Sequence, residues 1–330
     1  MPDIHPLAVE FQKKAGLAVR NCLAIPDDER YEVGALAQML ADLMLQEGRP
    51  VQSRVRPTTV PTDWDLPLFT PGGMPTPELV EALKASYDLD PKDKPYKGHV
   101  LADGGDEGPI GKIFRWKSTC LPHNHGVNLE GMDLDNIDFA KLDINHLLRT
   151  QFAKDSRAAM LVLDGHLETT IYSFNPDGTP KPGEPVSYGP GSFIFFPRHG
   201  LHDLGPDRAK NLPGQDTLTF HFYSPRFKEM WALVRSLEDQ SRCSVCRMCE
   251  NVPAYLPEPD SMESRRTTLA QIPSDEQAQK RADITRMLVM LLAVRATERQ
   301  GPVREFKESL ASLSGNVARV GDVLFRQRPI

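Results

Sequence analysis

Long apolar runs are missing from this chain. No stretch is long enough to span a bilayer, and the opening residues, MPDIHPLAVEFQKK, lack the apolar core of a signal peptide. A cytoplasmic location with no membrane partner is the expectation. Positive charge is not in excess either: 39 Lys and Arg against 45 Asp and Glu leave a formal net charge of −6. That balance argues against nucleic acid or anionic lipid as the main partner. There is no internal repeat and no low-complexity tail. The cysteines number five, an odd count, with three crowded at Cys243, Cys246 and Cys249, a pattern unlike a secreted disulfide framework. What remains, 40% hydrophobic and 25% charged, is the composition of a soluble globular protein.

At 330 residues the chain is long for one small barrel, so helical segments should flank a β region. Three regions are expected: 1–110, helical with a Pro-rich connector; 111–227, a barrel with an insertion at about 127–157; and 228–330, helical. In the first, Pro6 to Cys22 and Tyr31 to Glu47 carry apolar residues at helical spacing, and Thr76 to Tyr87 reads as a capped helix. In the second, Ile113–Trp116, Ala159–Leu163, Leu167–Phe174, Ser192–Phe196 and Leu218–Tyr223 have strand length and β-forming residues. Turn signals at Asp164-Gly165, Asn175-Pro176-Asp177-Gly178 and Gly189-Pro190-Gly191 separate them. In the third, Phe227 to Leu237, Ser274 to Arg299 and Val303 to Leu313 read as helices.

The chemistry sits in histidines. His123-Asn124-His125 places two imidazoles at i and i+2, on one side of an extended strand, where one metal can take both. A third must come from a distant strand, and His202 in Gly200-Leu201-His202 is the candidate, with His146 and His199 as substitutes. A small antiparallel barrel can bring such residues together.

The run His123-x-His125-x4-Glu130, with Gly191-x5-Pro197 leading to Gly200-x-His202, is similar to the two motifs that define cupins. More narrowly, Gly165-His166-Leu167-Glu168-Thr169, Gly200-Leu201-His202 and His221-Phe222-Tyr223-Ser224-Pro225, in that order, resemble the cysteine dioxygenase family of thiol dioxygenases. The resemblance runs from Ile113 to Phe227. It implies a mainly β fold, a cupin-type double-stranded β-helix barrel with N-terminal and C-terminal helical extensions. It also implies non-haem Fe(II), or another divalent transition metal, held by His123, His125 and His202, with catalytic roles for His221 and Tyr223. Substrate and O2 would be the partners, and the helical regions offer a surface for a homodimer.

Departures from the pattern bear on the site. Animal members of that family carry a cysteine five residues after the second ligand, crosslinked to the tyrosine; here that position is Glu130, so no such crosslink can form from it. Glu130 also stands where cupins carry a glutamate ligand, and three-His and three-His-one-Glu sites both remain open. For a substrate carboxylate, Arg115 is the candidate, because regular alternation would put it on the face of His123 and His125. For His221 and Tyr223, periodicity conflicts with resemblance: Leu218, Phe220 and Phe222 are the apolar set and would turn inward. Helices over the outer face would reconcile the two. Cys243-x2-Cys246-x2-Cys249 on a helix would lie near one face, a candidate second metal or redox site, although Pro253 occupies the position of a fourth ferredoxin-type cysteine.

These features support an Fe(II)-dependent dioxygenase converting a small thiol to its sulfinate. The alternatives are a non-thiol cupin oxygenase or isomerase with Glu130 as ligand, and a non-enzymatic redox- or ligand-sensing cupin.

Overall fold

A computed structural model describes residues 4–25, 39, 43, 68–70, 74–92, 94, 96–106, 108–125, 129, 131–133, 142–174, 180–196, 199–227, 230–235 and 243–248. The helix expected at Tyr31 to Glu47 lies largely outside them. The turn at 175–178 and the helices expected at Ser274 to Arg299 and Val303 to Leu313 lie wholly outside.

Helix α1 spans Pro6–Leu23. Pro6 opens it with φ already helical, and the His5 ring accepts from the Leu7 N–H at 3.2 Å. Its apolar residues Leu7, Phe11, Ala15, Ala18 and Cys22 recur at helical spacing and are buried. Helix α2, Pro77–Ser86, is capped as expected, with Thr76 Oγ1 accepting from the Leu79 N–H at 3.3 Å. A short helix, α3, covers Ile144–Arg149 within the insertion.

The strands are β1 (Tyr96–Asp103), β2 (Ile110–Trp116), β3 (His123–Asn124), β4 (Arg157–Asp164), β5 (Leu167–Phe174), β6 (Pro180–Pro182), β7 (Val186–Tyr188), β8 (Phe193–Phe196), β9 (Leu201–Pro206), β10 (Thr217–Ser224), β11 (Met230–Arg235) and β12 (Cys243–Met248). All pairings are antiparallel and form two sheets. One has the order β1-β2-β10-β4-β8; the other runs β12-β11-β3-β9-β5-β6, with β7 also on β5. At the turns marked by glycine, Gly165 and Gly191 adopt φ of +68° and +79°, a conformation costly for a side chain.

The two sheets face each other across a core of Ile110, Trp116, Met160, Val162, Leu167, Ile194, Phe196 and Leu204. A second core lies outside the first sheet. There Ile113, Leu161, Leu163, Phe193, Phe195, Leu218, Phe220 and Phe222 pack against α1 and α2. The result is mainly β, as expected, with both faces of one sheet covered.

Two expectations need correction. The sheet includes β1, so the β region starts at Tyr96, ahead of the expected boundary at 111. Beyond Phe227 the chain continues as strands, and the helix expected over Phe227 to Leu237 is β11, paired with β3 on one side and β12 on the other. The apolar spacing there resembled a helix, but the free edge of β3 takes the segment as a strand, which satisfies backbone groups of both.

Phe11 joins α1 to the barrel: it is fully buried and meets the Phe220 ring edge-on at 5.2 Å. Phe11→Ala should cost about 3–5 kcal/mol of folding stability. Chemical denaturation measures this, and a loss near zero would mean that α1 does not close the outer core.

Candidate metal centre

His123 and His125 arrive at the end of a loop that follows β2, and His202 lies on β9. The β3–β9 pairing sets His123 directly opposite His202. All three are buried, with ring centroids 4.7 Å (His123–His202), 5.0 Å (His125–His202) and 5.7 Å (His123–His125) apart. One ring nitrogen from each lies within 4.8 Å of the others, a triangle that a single ion can bridge.

Backbone carbonyls choose the tautomers. His123 Nδ1 bonds Leu121 O at 2.9 Å, and His202 Nδ1 bonds Gly200 O at 3.0 Å. A carbonyl only accepts, so each Nδ1 carries the proton and each Nε2 keeps its lone pair free to ligate. His202 Nε2 and His125 Nδ1 are buried with no hydrogen-bond partner. A buried polar atom left so costs about 1–3 kcal/mol, and a metal ion is what this donor set fits. Desolvation holds His125 and His202 well below the ordinary imidazole pKa and lowers His123 as well, so the rings are neutral, as ligation requires.

Aromatic rings pack around the triangle. Phe196 stacks on His202 at 4.1 Å, while Tyr223 and Phe227 meet His125 at 5.1 and 5.8 Å. Cys120 Sγ lies 3.6 Å from His123 Nδ1, but burial pushes its thiol pKa far up, so it stays protonated and leaves the imidazoles as donors.

Beside the triangle runs a chain of polar side chains. Trp116 Nε1 donates to Thr219 Oγ1 at 2.8 Å, Thr219 Oγ1 meets His221 Nε2 at 2.8 Å, and His221 Nδ1 meets the Tyr223 hydroxyl at 3.0 Å. His221 and Tyr223 therefore face inward, while Leu218, Phe220 and Phe222 lie in the outer core under α1. Strand β10 is buried along its whole length, which is why apolar periodicity alone pointed the wrong way. Burial lowers the His221 pKa well below its usual value and raises that of Tyr223, so both are neutral.

Other expected residues do not join. Arg115 is bound to Asp216, Nε to Oδ2 at 2.6 Å. It alternates with Phe114 and Trp116, which face His221, and so shares the outer face with Ile113. Strand parity cannot be carried across the loop from Trp116 to His123, and that step misplaced it. Lys112 does face inward, paired across the strands with His221. Alternation within β2 alone, Ile110-Lys112-Phe114-Trp116, carries the signal that finds it. His199 Nε2 pairs with Asp155 Oδ2 at 2.9 Å, both buried, and His146 is exposed on α3. Glu130 and Cys249 lie outside the described residues. Cys243 and Cys246 lie on β12, opposite Arg235 and Ala232, so the helical stacking expected of the cysteine cluster is absent there.

Two facing antiparallel sheets, with the HxH strand paired to the GLH strand, decide the architecture. The fold is of the cupin type. The chain matches no protein-family model and no curated protein. Among solved structures it is similar to KdgF from Halomonas sp., at 14% identity and a TM-score of 0.26, over 44% of this chain and 92% of that one. It is also similar to the Schizosaccharomyces pombe Cnp3 cupin domain, at 10% and 0.25, over 43% and 70%. A third is an oxalate oxidase in complex with glycolate, at 11% and 0.26, over 42% and 54%. Among the described residues, no helix is long and apolar enough to cross a membrane.

Two outcomes follow. His202→Ala should strip the protein of most bound divalent metal while the circular dichroism spectrum persists; full metal content by elemental analysis would remove His202 from the site. The neutral buried histidines also take up protons when the metal-free chain unfolds below about pH 6.5. The unfolded state then binds more protons, so stability should fall from about pH 6.5 towards pH 5 and be insensitive to these groups above about pH 7. A melting temperature constant across that window would show the histidines to be solvated.

Proposed function

We propose that this protein is a non-haem Fe(II)-dependent dioxygenase that oxidises a small thiol to its sulfinate, RS⁻ + O2 → RSO2⁻. The observation that carries the reading is the Trp116–Thr219–His221–Tyr223 chain, which ends in a buried phenol against His125, one of three neutral imidazoles able to share an ion. Iron, when bound by His123, His125 and His202, would supply the redox chemistry that joins both oxygen atoms to sulfur.

The protein's own residues supply orientation and proton control. Trp116 Nε1 can only donate, and it occupies a lone pair of Thr219 Oγ1. The Thr219 hydroxyl proton then goes to His221 Nε2, and His221 Nδ1–H to the Tyr223 oxygen. Tyr223 is left with its own proton to offer into the site, to hold a developing oxyanion or a substrate heteroatom. With its pKa raised by burial, the phenol stays a donor at neutral pH. Ile194, Phe196, Met160 and Phe227 line the same interior and keep water from the reacting atoms.

The test is oxygen consumption by anaerobically Fe(II)-loaded protein offered cysteine, cysteamine and 3-mercaptopropionate, with products weighed. Thiol-dependent uptake with a gain of both oxygen atoms is expected. Tyr223→Phe should then lower kcat by about 10- to 100-fold while iron content holds, as loss of one oriented donor does. No uptake at stoichiometric iron would replace this reading with a non-thiol cupin oxygenase or isomerase.

A further inference from the structure

The segment that leads from β8 into β9 wraps one metal ligand. Phe196, the last residue of β8, stacks on the His202 ring at 4.1 Å, and the Gly200 carbonyl accepts the His202 Nδ1 proton at 3.0 Å. That carbonyl therefore sets the tautomer and the plane of the ring. The matching carbonyl for His123 belongs to Leu121, whose own buried side chain anchors it. Gly200 has no side chain, so its peptide is held by its neighbours. On one side Leu201 is in the β5–β9 ladder, opposite Tyr172. On the other stands His199, and its Nε2 meets Asp155 Oδ2 at 2.9 Å.

This contact lies three residues beyond the end of the β4–β8 ladder, whose last rung is Ala158 opposite Phe196. A side-chain bond thus ties the two segments where backbone pairing has stopped. Both partners are out of water, at 5% and 2% side-chain exposure. A carboxylate only accepts, so His199 Nε2 carries the proton, and a bond of this kind to an ionised acceptor is among the stronger ones. Asp155 is itself presented by a packed turn that follows α3. The Phe152 carbonyl accepts the Asp155 N–H at 3.3 Å, the Phe152 N–H reaches the Leu147 carbonyl at 2.9 Å, and the fully buried Phe152 ring meets His199 edge-on at 5.8 Å.

We propose that the Asp155–His199 pair positions the metal centre. By anchoring the residue before Gly200, it holds the carbonyl that orients His202, so the end of the 127–157 insertion sets how firmly and in what geometry an ion is held. This rests on the three histidines binding a divalent ion and is independent of the thiol reading. Neither residue touches the ion, and both act through Gly200 and His202.

The experiment follows the full chain loaded with Co(II), whose visible spectrum reports ligand geometry, and measures the rate of Co(II) loss to a chelator. Asp155→Ala should release Co(II) about tenfold faster or more and alter the spectrum, as loss of a group that orients a ligand does. Asp155→Asn, which keeps an acceptor for Nε2, should stay close to the wild type in both. Leu83→Ala, a cavity in the outer core, is a control that lowers stability without touching the segment 196–202, and it should hold Co(II) as the wild type does. Where the alanine variant does not fold, Asp155→Val combined with His199→Phe removes the tie without leaving an orphaned polar group, and the same loss is expected. A wild-type release rate and spectrum in Asp155→Ala would overturn the assignment, and so would faster release shared by Leu83→Ala in proportion to its lost stability. Co(II) held equally well by His202→Ala would overturn the metal-site reading, and this assignment with it.

Discussion

Burial of strand β10 on both faces is the constraint on which the rest of this structure depends. One face carries Leu218, Phe220 and Phe222, and α1 covers it through Phe11 and its neighbours. The other face is thereby released from serving as the protein's apolar core. It can afford a threonine, an imidazole and a phenol at successive inward positions, two residues apart, because each bonds the next and Trp116 ends the chain. A buried polar set of this kind is tolerable only when its members satisfy one another. The helix on the outside and the proton-holding chain on the inside are thus one arrangement.

The histidine triangle follows a different rule. There the polar atoms are satisfied on one side only: the carbonyls of Leu121 and Gly200 take the Nδ1 protons of His123 and His202, and one ring nitrogen of each of the three histidines lies within 4.8 Å of the others. Desolvation keeps the rings neutral, and Phe196 and Phe227 fix their planes. The cost of the unpartnered nitrogens is recovered when an ion binds, so metal affinity and local stability are coupled here.

Much of this was legible in residue order. The period of two and the glycine turns marked the strands at 159–163, 167–174 and 218–223, and Pro6 and Thr76 marked two helix starts, all close to where they occur. The HxH and GLH runs named the three residues that meet. The failures share a cause. Counting alternation across a loop misplaces Arg115, and local spacing reads residues 230–235 as a helix, because neighbours supplied by the fold are invisible in it. Parity ends where pairing ends, and apolar character does not say which core a side chain joins.

The sequence by itself determined which chemistry is available: nitrogen donors in two separated motifs and a His-x-Tyr pair. Those are properties of residue type and spacing, and they survive any arrangement of the chain. Which cation faces inward, Lys112 and not Arg115, and which histidine stays a structural partner, His199 bound to Asp155, were decided only by the tertiary structure. The register between β2 and β10 and the second core beneath α1 arise from contacts between residues about a hundred or two hundred positions apart, and no local pattern encodes them.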